Sequence, residues 1–135
     1  MTEELNAAQS RARAVAKRAL AHYGEKRQIA KANEEAHEVG AAAWRLHGAR
    51  LADADIDTDA VIRARQQFLD ESADYVVAAS ALPDRALPKL DELVIVPGEY
   101  SDSEIAEAIN RKAAAMESRM DRIDEMKRNG EVPTP

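Results

Sequence analysis

Four stretches of the chain space apolar side chains three and four residues apart, as amphipathic helices do, and no long stretch alternates as a strand would. Residues 3–21 predict a first helix, with Thr2 as its N-cap and Glu3 and Glu4 in its first turn. Its apolar stripe is weak, with Leu5, Val15 and Leu20 set among alanines and basic residues, so this helix is expected to dock late or fray. Gly24 breaks the pattern. A second helix is expected from about Glu25 to His47, with Gly48 as its stop and Ala49 to Asp57 as a loop. Thr58 or Asp57 caps a third helix that reaches about Ser80. Leu82 to Tyr100 carries three prolines and one glycine and reads as a long irregular connection. Within it, Leu93-Val94-Ile95-Val96 is the single strand-like run. Ser101-Asp102-Ser103-Glu104 has the form of a capping box and opens a fourth helix ending near Arg128-Asn129-Gly130. The expected fold is all-α: a four-helix bundle with one long crossover, a single domain over 1–135 with its core at about 22–128 and a flexible tail over 129–135.

Composition sharpens this picture. Of 135 residues, 45% are hydrophobic but only 4% are aromatic, and 28 are alanine. Alanine buries little area, so the core is expected to be thin and built from close helix contacts. Natural proteins with thin cores often add a subunit interface, and a homodimer or homotetramer is expected. The net charge of -6 argues against a strongly basic nucleic-acid footprint. The absence of cysteine excludes a disulfide framework, a zinc–thiolate site and a thiol nucleophile. No apolar run approaches a membrane span, and the first residues lack a signal-peptide core, so a soluble cytoplasmic protein with no membrane partner is expected.

The candidate chemistry lies in the acids. At about 100° per residue, Gln28, Lys31, Glu35 and Glu38 share an arc of about 80° on the second helix. That arc lies beside the apolar stripe of Ala32, Val39, Ala43 and Leu46. Glu34 sits further toward solvent, and His37 points nearly opposite the stripe. On the third helix Glu71 and Asp74 are neighbours, three residues apart, beside Val61, Ala64, Phe68, Tyr75 and Ala79. Packing the two stripes antiparallel would bring four carboxylates together, and their repulsion calls for cations. Oxygen-only ligands suit magnesium or manganese rather than zinc or copper. On the fourth helix, Lys112 and Arg119 fall inside the stripe of Ile105, Ile109, Met116 and Ile123. Such cations either pair with the acids, snorkel to water, or face phosphates.

These residues resemble a known family. The run His22-Tyr-Gly-Glu-Lys-Arg-Gln28-Ile-Ala-Lys31-Ala-Asn-Glu34-Glu35-Ala-His-Glu38 is similar to the first motif of MazG-like nucleoside triphosphate pyrophosphohydrolases, especially the short phage-type members. Glu71-Ser-Ala-Asp74 resembles the second motif of that all-α superfamily, which includes the dimeric dUTPases. Ile109-Asn-Arg-Lys112 through Arg119 is similar to its C-terminal helix. The resemblance implies hydrolysis of a nucleoside triphosphate between the α and β phosphates, yielding a monophosphate and pyrophosphate. It implies a dimer or dimer of dimers, with magnesium held by Glu35, Glu38, Glu71 and Asp74. It also implies that Glu34 orients or deprotonates the attacking water, that Lys31, Lys112 and Arg119 contact phosphates, and that Gln28 lies near the nucleotide. The acidic loop between the motifs and the long Leu82 to Tyr100 connection depart from the short members and bear on the base pocket.

Two other readings compete. Glu34-Glu35-Ala-His37 contains the Glu-x-x-His spacing of di-iron bundles, but Glu71-Ser-Ala-Asp74 supplies no second copy of it. A non-catalytic helical adaptor or regulatory protein is the stronger alternative, with the first helix as a partner-binding element. His22, His37 and His47 show no triad spacing and read as surface residues. Trp44 reads as a packing or interface residue rather than a base-stacking one.

Overall fold

A computed structural model describes residues 2–52, 58–83 and 100–131. The four helices are α1 (Glu3–Tyr23), α2 (Glu25–Ala52), α3 (Asp59–Ala79) and α4 (Asp102–Arg128), packed as a bundle, with no strand among the described residues. The strand-like run at 93–96, the acidic residues 53–57, most of the crossover and the end of the tail lie outside the described residues.

The starts of three helices follow from side-chain caps. Leu5 N–H donates to Thr2 Oγ1 at 3.2 Å, Val61 N–H to Thr58 Oγ1 at 3.4 Å, and Glu104 N–H to Ser101 Oγ at 3.1 Å. The Glu104 carboxylate accepts from Ser101 N–H in return, completing the capping box. Gly24 alone joins α1 to α2. Its φ of 89° lies in the region that favours glycine, its N–H closes α1 on Leu20 O, and its carbonyl accepts from Gln28 N–H to open α2.

Two boundaries depart from the sequence pattern. Gly48 does not stop α2, which runs one turn further to Ala52. The packing of Leu46 and Ala49 against the core offsets the roughly 1 kcal/mol that a glycine costs inside a helix. Nor does α1 present a weak face: Leu5, Ala8, Ala12, Val15, Ala16 and Ala19 are all buried. Alanines close this stripe, because small side chains let the helix approach its neighbours.

Ion pairs and buried neighbours give the helix directions. Glu4 meets Ser103, Arg11 meets Glu117 and Arg18 meets Asp121 and Asp124, so α1 and α4 run parallel. Arg65 with Glu104 and Asp74 with Lys112 make α3 parallel to α4. Ala32 shares a cluster with Ala78 and Ala79, while Glu38 bonds to Glu71 further along, so α2 and α3 are antiparallel. Tyr100, which precedes α4, stacks near Phe68 and donates its hydroxyl to Arg65 O at 2.8 Å. The chain therefore returns from the end of α3 to its beginning before α4 starts, as a bundle with one crossover requires.

Among the described residues, alanine supplies about half of the buried apolar side chains, and Met120 is the one large side chain wholly removed from solvent. Trp44 does not pack into this core. It stays 74% exposed, edge-on to His47 at 5.8 Å between ring centroids, on the same side of α2 as exposed Leu51. Replacing Met120 with Ala should lower the unfolding free energy by about 2–5 kcal/mol, whereas Trp44→Ala should change that of the monomer by less than about 0.5 kcal/mol. Urea titrations followed by circular dichroism would measure both.

Candidate functional site

Small residues on the facing sides of α2 and α3 bring the acids together. Ala32, Ala36 and Ala42 on one helix, and Ala73, Ala78 and Ala79 on the other, are all buried. With so little side chain between the backbones, the flanking carboxylates meet rather than diverge into water. Carboxylate oxygens of Glu35, Glu71 and Asp74 lie within 4.8 Å of one another. Glu38, exposed beside them, faces Glu71 and helps to push its carboxyl upward. Sequence reasoning placed all four acids on facing helices; the structure gathers Glu35, Glu71 and Asp74 into one cluster, and Glu38 stands at its exposed edge beside Glu71.

Glu35 is 5% exposed, an unusual position for a charged side chain. Lys31 Nζ sits 2.8 Å from its Oε1, while Oε2 is buried with no hydrogen-bond partner. Glu71 Oε2 is likewise buried and unpartnered. Burial lifts the Glu35 carboxyl above the usual range, and Lys31 only partly opposes this. The Glu71 carboxyl is pushed up to about 7, first by burial, then by the bond to Glu38 and by the charges of Glu38, Asp74 and Glu35. Two orphaned carboxylate oxygens facing like charges form a donor set suited to a hard divalent cation. The cluster could hold a metal ion.

The cations are distributed less simply. Lys112 Nζ lies 3.1 Å from Asp74 Oδ2, so it balances the acid cluster. Arg119 leaves the apolar seam, which Ala113 and Met120 fill instead, and is exposed on the wall of a cleft of about 1010 Å³. This cleft lies between the start of α2 and the second half of α4, with the end of α1 closing one side. Gln28, Lys31 and Glu34 line it too, Glu34 lying 4.0 Å from Lys31 Nζ and otherwise open to solvent. Lys31 thus belongs to both the acid cluster and the cleft. His37 is exposed and hydrogen-bonds to Asn33 O on its own helix.

Sequence reasoning missed several residues of this cleft. Arg27, Arg122 and Lys127 line it, as do Tyr23 and His22. Arg27 stands one turn before Lys31, and Arg122 nearly one turn after Arg119, so helical spacing alone would have extended both basic rows. His22 is not a surface residue: its side chain is 11% exposed, and Nε2 lies 2.8 Å from Asp124 Oδ1. No local signal pairs residues 22 and 124. The pair exists because α1 and α4 run side by side. Arg18 also bonds Asp124, at 3.0 Å, and His22 and Arg18 together hold the Asp124 carboxyl below its usual range.

The cluster sets a sign for the pH dependence of stability. A Glu71 carboxyl raised from 4.5 to about 7 keeps its proton in the folded state after the unfolded chain has released it. The folded metal-free protein therefore loses stability as pH rises from about 4.5 through about 7. Thermal melts in chelator should show this decline, and Glu71→Gln should flatten it. An unchanged slope in that variant would show that Glu71 is not the titrating group.

A scan against protein-family models gave no match to this chain, and searches of curated proteins and of solved structures returned no relative.

Proposed function

We propose that the protein is a magnesium-dependent, all-α MazG-like nucleoside triphosphate pyrophosphohydrolase, with manganese able to replace magnesium. The observation that carries this reading is the juxtaposition of two sites. Three carboxylates gather within 4.8 Å with two buried oxygens unpartnered, and a cation-lined cleft opens beside them at Lys31. The resemblance of both acidic motifs to that family supports the same assignment.

Glu35, Glu38, Glu71 and Asp74 hold the metal. When bound, it neutralises phosphate charge and makes water more acidic. Lys31 and Arg119 receive the phosphates along the cleft, and Lys112 holds the Asp74 carboxylate in place. Glu34, open to the cleft, accepts the proton of the attacking water. The water oxygen bonds to the α-phosphorus while the bond from that phosphorus to the bridging oxygen breaks, and pyrophosphate leaves with the electron pair. Gln28, buried at the cleft wall, lies beside the nucleotide.

A second copy of the chain completes the assembly, as a homodimer or homotetramer. Among the described residues, exposed Trp44 and Leu51 on α2 and Ile62 on α3 are the large apolar side chains left for such a contact. The adaptor reading draws on these same three residues, because a different protein could cover them instead.

A panel of nucleoside and deoxynucleoside triphosphates with magnesium tests the activity. Monophosphate and pyrophosphate are the expected products; diphosphate and free phosphate would place the cleavage elsewhere. Glu38→Gln and Asp74→Asn should abolish turnover with the fold intact, and the metal-free melting temperature should hold or rise as repulsion is relieved. Magnesium should stabilise the wild type by mass action and these variants less. His37→Ala should stay within a few-fold of wild type. Normal turnover and metal response in both acid variants would transfer support to the adaptor.

A further inference from the structure

The cleft is longer than the proposed chemistry requires. Lys31, bonded to Glu35, marks its end at the acid cluster, and Arg119 acts on Lys31 through its charge. From Met116 to Lys127 the α4 wall covers twelve residues, or about 16 Å of helix axis. The three phosphorus atoms of a triphosphate span less than half of that. Beyond Arg119 the walls still carry Arg27, Arg122, Lys127 and His22.

The described ion pairs of the protein involve none of Arg27, Arg119, Arg122 and Lys127, although acids outnumber basic residues 25 to 19. In a chain of net charge -6, unpaired cations concentrated in one concavity form a local field that attracts anions. The wall also contains two buried polar atoms without hydrogen-bond partners, Tyr23 Oη and Gln28 Nε2, the latter on a side chain only 3% exposed. Both can donate, and phosphoryl oxygens accept. A nucleoside in the far half would leave its cations unmatched, and Tyr23, the only aromatic residue there besides His22, already has Arg27 over its ring at 5.5 Å. The cleft therefore offers no platform on which successive bases stack.

We propose that the cleft binds a linear polyphosphate chain longer than three phosphates, free or carrying nucleoside ends, with Arg27, Arg122, Lys127 and His22 holding the phosphates beyond the third. The proposal takes its near end from the catalytic reading but does not depend on turnover. It is therefore tested by binding in the presence of chelator.

Isothermal titration of the full chain with inorganic tripolyphosphate, then with a longer linear polyphosphate, at fixed ionic strength, reads the effect. The longer chain should bind about tenfold more tightly, as two modest exposed ion pairs allow. The double variant Arg122→Ala with Lys127→Ala should return it to the tripolyphosphate level while leaving tripolyphosphate itself unchanged. Arg13→Ala with Lys17→Ala, an equal loss of charge on the exposed face of α1, should preserve the gain. All four side chains are exposed, so the variants should fold. A dinucleoside tetraphosphate separates the two sources: affinity equal to that of the inorganic chain assigns the nucleoside-capped one, and weaker binding assigns the free one. Affinity independent of chain length, a gain that survives the cleft variant or vanishes equally in the α1 variant, or tighter binding of a single-stranded oligonucleotide of equal charge would each overturn the proposal. Hydrolysis of a triphosphate with no gain from chain length would leave the catalytic reading standing and remove this one alone.

Discussion

The close antiparallel contact of α2 and α3 is the constraint on which the rest depends. Alanines at 32, 36, 42, 73, 78 and 79 bring the two backbones near enough for carboxylates at 35, 38, 71 and 74 to share one region. That closeness has an electrostatic cost. The folded state must hold like charges that the unfolded chain lets drift apart, and it answers with a raised Glu71 carboxyl and with Lys31 and Lys112 drawn onto Glu35 and Asp74. Larger side chains at the alanine positions would ease the repulsion and dissolve the site. The thin core and the acid cluster are thus consequences of one choice of residue.

The same contact organises the opposite charge. Because α2 is antiparallel to both α3 and α4, its first turns stand across from the last turns of α4, so the basic row of each helix faces a common cleft. Gly24 fixes where that cleft closes, since a single residue with φ of 89° turns the end of α1 directly into the start of α2. His22 and Tyr23 are thereby delivered to the same wall as Arg27 and Gln28. A protein that is acidic overall presents two adjoining regions of opposite sign, joined by Lys31.

Much of this was legible in the sequence because it is local. Capping at Thr2, Thr58 and Ser101 depends on atoms three residues apart, and the phase of Glu35, Glu38, Glu71 and Asp74 depends only on helical periodicity. Proximity to an apolar stripe was enough to single those acids out from the many exposed ones. Where burial outweighed propensity, local reading failed. Gly48 ended the pattern but not the helix, and α1 looked weak because alanine contributes little to a stripe while fitting a close contact well.

Only the tertiary structure decided which distant groups meet. His22 with Asp124, Lys112 with Asp74 and Arg119 with the cleft depend on which helices run side by side and how far apart their axes lie. Lys112 and Arg119 look equivalent along α4, yet one is drawn to a carboxylate of α3 and the other opens onto the cleft facing α2. A helix fixes the angle at which each side chain leaves its axis, but what stands at the end of that angle belongs to a neighbour contributed from elsewhere in the chain. For this protein the sequence by itself determined the helices, their starts and the row of acids; packing decided the partners, because contact across helices is set by the geometry of the whole bundle.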